Sequence, residues 1–129
     1  MGSFQRCVRT AMLLLAVAVA MPSCGPSQDP PADIAHYEPR ERGGMEALLE
    51  GTLVREEGCV YVDDSFGVRW IPIFPNKDLA WHDDELHAGG KEYRLGGPVA
   101  LTGGESTVDR HQVPETCDGT LSAWLVTWE

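Results

Sequence analysis

Eleven apolar residues, Ala11 to Met21, lie near the start of the chain behind Arg6 and Arg9, with no acidic residue before them. Coiled as a helix they would rise about 16 Å, roughly half of a ~30 Å hydrocarbon core, which is too short for a permanent span. A basic start, a short apolar run and then Pro22 and Ser23 follow the layout of a secretory signal. Residues 1–23 are therefore expected to be an export signal. The fold must then be built from the remaining residues, outside the reducing interior of the cell.

That address governs the four cysteines, Cys7, Cys24, Cys59 and Cys117. Cys7 falls in the signal. Three cysteines then remain, an odd number for an oxidising compartment. The simplest pairing joins Cys59 to Cys117, both inside the domain, and leaves Cys24 at the signal's end for another fate. Such a bridge would hold a small domain whose core is marginal for its size. A zinc site is the weaker reading, because no C-x-x-C pair or spaced Cys/His set is present.

Met21-Pro22-Ser23-Cys24 resembles the lipobox of bacterial lipoproteins, in which a small residue precedes a cysteine after the apolar run. The resemblance covers residues 1–24. It implies a diacylglycerol on the Cys24 thiol, cleavage just before it, and acylation of the new amino end. Two or more acyl chains hold a protein stably on a bilayer, where one does so only marginally. The competing expectation is ordinary signal cleavage after Ala18 or Ala20. The domain's run from Glu50-Gly51 through Gly58-Cys59, Ile71-Pro72 and Gly103-Gly104-Glu105 to Pro114-Glu115-Thr116-Cys117 also resembles small exported bacterial β domains. That second likeness implies fold and disulfide rather than chemistry.

The whole chain carries 10 basic and 20 acidic residues, a net charge of −10. Removing residues 1–23 takes away Arg6 and Arg9 and no acids, leaving 8 basic and 20 acidic residues and a net charge of −12. Nucleic-acid binding by counterion release needs clustered Lys and Arg, so the composition argues against it. The same charge opposes docking on anionic headgroups, and any membrane attachment is expected to run through the lipid.

Residues 24–44 hold Pro26, Pro30, Pro31 and Pro39 with no hydrophobic period, which predicts a disordered tether ending at Gly43-Gly44. Residues 45–129 then read as short strands. The first covers Met45 to Glu56 with Gly51 as a bend or bulge, a short helix over Glu46–Glu50 being the alternative. Cys59 to Val62 is β-branched and aromatic. Val68 to Phe74 is apolar on both faces, with Pro72 marking an edge or bulge. Leu79–Trp81 is short, Lys91–Leu95 follows a Gly89-Gly90 hairpin turn, and Val99–Leu101 lies between glycine pairs. Leu121–Trp128 alternates. Six or seven short strands with glycine turns predict an all-β domain, a small closed or partly open barrel of OB-like type, with a small β-sandwich as the alternative.

The densest polar run is Trp81-His82-Asp83-Asp84-Glu85-Leu86-His87. His82, Asp84 and His87 are the candidate metal ligands. The run lacks the oxygen spacing of an EF-hand and the His-Glu-x-x-His of a zinc protease, and a solvated acidic turn is its commoner meaning. Trp81 is the candidate lining of a ligand groove, since a Trp beside carboxylates can grip a cation or a sugar. Ser65, Ser106 and Ser122 lack the flanks of a hydrolytic nucleophile, and His111 lies in a polar stretch. The sequence therefore predicts a lipid-anchored envelope protein outside the cytoplasm, on the cell membrane or outer membrane. Its domain is expected to be a non-enzymatic module for an envelope protein or small ligand, with no cofactor. The alternative is a small metal-binding protein or metal-dependent enzyme using residues 81–87.

Overall fold

The computed structural model describes residues 29–39, 46–107 and 112–128. The signal, Cys24 and His111 lie outside the described residues. Nine strands run in chain order as β1 (Ala35–Tyr37), β2 (Ala47–Glu56), β3 (Cys59–Asp64), β4 (Arg69–Pro75), β5 (Ala80–His82), β6 (Glu85–Ala88), β7 (Lys91–Arg94), β8 (Pro98–Ser106) and β9 (Ser122–Val126). Among the described residues there is no helix, and Leu48–Glu50 is strand rather than a helical turn.

Strands β4, β3, β2, β8 and β9 are hydrogen-bonded in that order, and β4 also pairs with β9. The five strands therefore close into a barrel. Counted along the barrel strands alone the order is 1-2-3-5-4-1, an OB-like arrangement, the barrel type favoured by the bent first strand and small size, although the strand spacing leaves the order itself open. The closing pair is parallel, Trp70↔Ser122 through Ile73↔Leu125, while the other barrel pairs are antiparallel.

Local chemistry places the turns. Glu57 and Gly58, between β2 and β3, both have positive φ, as do Gly89 and Gly90 between β6 and β7. Two-residue turns of that hand match the twist of the strands they join. Gly51 is the bend in β2. Residues 47–52 pair with β8 and residues 51–56 with β3, so Gly51 stands where the strand serves both neighbours. A Cβ there would press on the Asp63 carbonyl and the Val62 side chain.

Pro72 sits on an internal strand, where the sequence pointed to an edge or bulge. Its neighbours explain how it is tolerated. Arg69 and Trp70 pair with β3, whereas Ile73, Phe74 and Pro75 pair with β1. Pro72 falls at the change of partner, where a missing N–H disrupts neither ladder.

The same pairing corrects the expectation of a disordered tether over residues 24–44. Within it β1 lies parallel to β4 and buries Ile34 and Ala35 at 1% and 2% exposure. The Tyr37 hydroxyl donates to the Val126 carbonyl at 2.7 Å. A few apolar residues hidden among prolines are too short a run to register as a strand by period. They fold because β4 offers an open edge beyond the end of β3.

The core has two parts. Leu49, Leu53, Val60, Val62, Phe74, Val99, Leu101, Trp124 and Val126 fill the barrel. On the outer side of the wall, Cys59, Tyr61, Ile71, Ile73 and Ala123 pack with Ala35 and Val113. Apolar residues on both faces of β4 are thereby buried, as its unbroken apolar run predicts. The Cys59–Cys117 disulfide joins β3 to the loop leading into β9 across 58 positions, with Cα atoms 5.1 Å apart.

Strands β5, β6 and β7 form a separate antiparallel meander between β4 and β8. Trp81, Leu86 and Tyr93 are in register across it, and alternation puts them on one face. That face joins the barrel core, with Leu86 fully buried and Tyr93 nearly so. Phe74 meets Tyr93 and Trp128 at centroid distances of 6.5 and 6.1 Å. The meander is thus a plug whose inner face is apolar.

Two outcomes test this packing. Gly89→Ala is expected to destabilise the domain by about 1–3 kcal/mol in urea unfolding, because an added Cβ meets the Trp128 ring at 2.6 Å at a φ of 57°. Gly90→Ala, with nothing within 4 Å, should cost less. Replacing Cys59 and Cys117 together by Ser is expected to remove about 4 kcal/mol on the chain-entropy account, read as a lower unfolding midpoint.

Candidate functional site

The alternation that points Leu86 inward points its neighbours outward. His82, Glu85 and Arg94 form one cross-strand row on the outer face of the meander, and Ala80, His87 and Glu92 form the next. Titratable side chains from all three strands are therefore collected on one small sheet face by register alone.

His87 lies at the centre. Its Nε2 is 3.1 Å from Glu85 Oε1 and its Nδ1 is 3.8 Å from Glu92 Oε1. The His82 ring rests against it, centroids 4.1 Å apart and planes tilted by 53°. Ligating atoms of Glu85, His87 and Glu92 all lie within 4.8 Å of one another. Beside this cluster is a shallow, open depression lined by His82, Asp83, Asp84, Glu85, Arg94 and Leu95.

Of the candidate metal ligands, His82 and His87 are brought together. Asp84 instead occupies the turn between β5 and β6, where Asp83 takes a left-handed conformation and the Asp84 carbonyl accepts from the Leu95 N–H. The carboxylates beside His87 are Glu85 and Glu92. Neither is among the candidate ligands: Glu85 lies within the 81–87 run but is passed over for Asp84, and Glu92 lies outside it. The signal for Glu92 is available: a two-residue turn at Gly89-Gly90 sets His87 opposite Glu92.

Trp81, the candidate groove residue, has its partners within the chain. Its indole N–H donates to Asp33 Oδ1 at 3.1 Å, and the Arg55 guanidinium lies 4.5 Å from the ring centroid. Arg55 also pairs with Asp33. The cation gripped by this Trp beside carboxylates is Arg55, and the contact clamps the residue 33 segment to the barrel and plug.

A second polar network surrounds the loop between β3 and β4. Arg69 donates to both oxygens of Asp63, at 2.7 and 3.0 Å, and also to Glu56, while lying over the Tyr61 ring. The Arg69 hydrogen bonds hold the Asp63 carboxyl below its ordinary value and raise the guanidinium's own affinity for its proton. Asp64 accepts from the Trp70 indole at 3.0 Å and from the Phe66 and Val68 N–H groups, each at 2.9 Å. The Trp70 bond first, and those backbone bonds after it, lower its pKa as well.

This wiring holds Phe66 out into solvent at 89% exposure, with Val68 beside it at 44%. Reading along the chain does not single out Phe66. The available signal is a large aromatic in a four-residue turn between Asp64 and Gly67, where small polar residues are the usual occupants.

The disulfide fits a location outside the cytoplasm, where such bonds persist. No protein family, curated protein or solved structure matches the chain.

The Asp63–Arg69 pair makes a pH prediction. A carboxyl whose folded pKa is depressed contributes stability above its unfolded value and loses it as pH falls through the folded one. Unfolding midpoints are therefore expected to decline as pH drops below the ordinary carboxyl value of 3.8. Asp63→Asn should flatten that decline in a pH series of thermal melts, by a modest amount because the pair is partly solvated.

Proposed function

We propose that the chain is an exported protein held at a membrane surface by a lipid on Cys24, and that its barrel is a non-enzymatic module that binds another protein of the same envelope. One observation carries the reading: the Cys59–Cys117 disulfide staples a domain that follows a signal-like segment ending in a lipobox-like Cys24. Such bonds persist chiefly in oxidising compartments, and the cysteine left over sits where a lipid would be attached.

The contact assigned to the partner is the loop between β3 and β4. A barrel of this type hosts many activities, so the assignment rests on the loop and not on the fold. Phe66 is a large apolar side chain presented on a backbone already fixed by Asp64. A preorganised aromatic loses little freedom on association, and anchors of that kind dominate protein interfaces.

Intact mass of the protein from its native membrane fraction tests the attachment. The expected species begins at Cys24, carries added acyl mass and gains two hydrogens on reduction. An unlipidated chain beginning upstream of Cys24 overturns the anchor. For the module, a photo-crosslinking residue at position 66 should give a discrete adduct on cells, whereas the same residue at exposed Ala100 should not. Equal labelling from both positions would contradict the assignment. Phe66→Ala should change stability by less than about 0.5 kcal/mol, since so exposed a side chain contributes little packing.

A further inference from the structure

We infer that the outer face of the β5–β7 meander is a binding site for a divalent ion of the zinc and copper class, held by His82, Glu85 and His87 with Glu92 orienting His87. The inference stands on the cluster's geometry and does not depend on the lipid anchor or on the Phe66 loop.

The donor set decides the class of ion. Two imidazoles with a carboxylate suit borderline divalent metals, whereas calcium takes six to eight oxygens and Cu(I) prefers sulfur. The separations suit it as well. Ligand bonds of about 2.0–2.2 Å place the ligating atoms of a tetrahedral ion roughly 3.3–3.6 Å apart. Glu85 Oε1 and His87 Nε2 already stand 3.1 Å apart. The His82 ring lies against that of His87 with centroids 4.1 Å apart, and because the ligating atoms already within 4.8 Å of one another are those of Glu85, His87 and Glu92, the exposed His82 side chain must turn to bring a nitrogen to the ion. The His87 and Glu85 side chains are 33% and 34% exposed, so small χ rotations can complete the approach without repacking.

The two nitrogens of His87 divide the work. Nε2, on the Glu85 side, faces the ion. Nδ1 lies 3.8 Å from Glu92 Oε1, so a small rotation of the exposed glutamate would bring that carboxylate into hydrogen-bond range behind the ligating ring. A carboxylate behind a ligating histidine fixes the tautomer and raises the basicity of the ligating nitrogen. Three protein ligands leave a fourth position open to water.

The backbone beneath these side chains is fixed independently of any ion. Leu86, the residue between Glu85 and His87, is fully buried in the plug, and both ladders of β6 are formed. The cluster therefore has a fixed floor and part-exposed tips, so a metal need only draw side chains together. Ordinary ion pairing explains one glutamate beside His87. It does not explain a second imidazole in ring contact at the same corner.

The test uses the untagged full chain with Cys7 and Cys24 replaced by Ser, so that free thiols do not compete, stripped with a chelator and dialysed. Calorimetric titration with zinc at pH ~7.5 should show one ion per chain, and calcium should give no heat. His82→Ala and His87→Ala should each weaken zinc binding more than about 100-fold, and Glu92→Gln by about 10–100-fold. Asp84→Asn and His36→Ala should leave it unchanged. Thermal melts of the metal-free variants should match the parent, because all these side chains are at least partly exposed. With Cu(II), paramagnetic resonance should show two coupled imidazole nitrogens, falling to one in His82→Ala. Absence of zinc heat up to millimolar concentration would overturn the inference and leave the cluster an ion-paired surface. Undiminished binding in the His82→Ala/His87→Ala double variant would overturn it too, by placing the ion elsewhere.

Discussion

The parallel pairing of β4 with β9 is the contact on which the rest of the architecture depends. Without it, β3, β2 and β8 would be part of an open, curled sheet with two exposed edges and an uncovered apolar face. With it, the strands share one interior, and β4 becomes a central strand bonded on both sides. Several features follow. Pro72 must fall where β4 changes partner. The end of β4 beyond β3 needs another strand, which β1 supplies. Non-local pairing of this sort is entropically costly to reach, and the disulfide shortens the search by tying the loop before β9 to β3.

Closure also creates the surfaces that matter for function. A barrel has an open end, and here the excursion between β4 and β8 returns as the β5–β7 meander to fill it. A meander that plugs with one face must present the other to water, by the two-residue alternation of a strand. The histidines and glutamates of the outer face are therefore held in place by the burial of Trp81, Leu86 and Tyr93 between them. Elsewhere some of the charged side chains pair across strands. Asp33 joins Arg55 and Trp81, and Asp63 and Glu56 join Arg69. The acidic excess is thus partly structural, wired across strands and not only spread over the surface.

Much of this is legible in the residues. Glycine pairs mark hairpins, β-branched and aromatic runs mark strands, and leaving Cys24 aside isolates the Cys59–Cys117 pair. The misses have physical causes. Residues 33–37 carry too little apolar sequence to read as structure, and they fold only because a distant strand offers an edge. Asp84 resembles a ligand by proximity to His82 and His87, but the turn at residues 83–84 reverses the chain and takes its backbone for a hairpin contact. Glu92 lies beyond a turn from His87 and becomes its neighbour only through the register of that hairpin. Trp81 is readable as a cation-holding ring, whereas its cation, Arg55, lies on a distant strand. Local signals survive reading along the chain; cross-strand partners require the register.

Barrel closure can be measured directly by amide hydrogen exchange on the oxidised protein, followed residue by residue. If β4 and β9 close the barrel, the amides of Ile71, Ile73 and Trp124, which alternation turns toward the pair, should exchange as slowly as those of the β2–β3 hairpin, all governed by global unfolding. If those three amides exchange orders of magnitude faster while β2 and β3 stay protected, the sheet is open at that seam and the closed barrel is refuted.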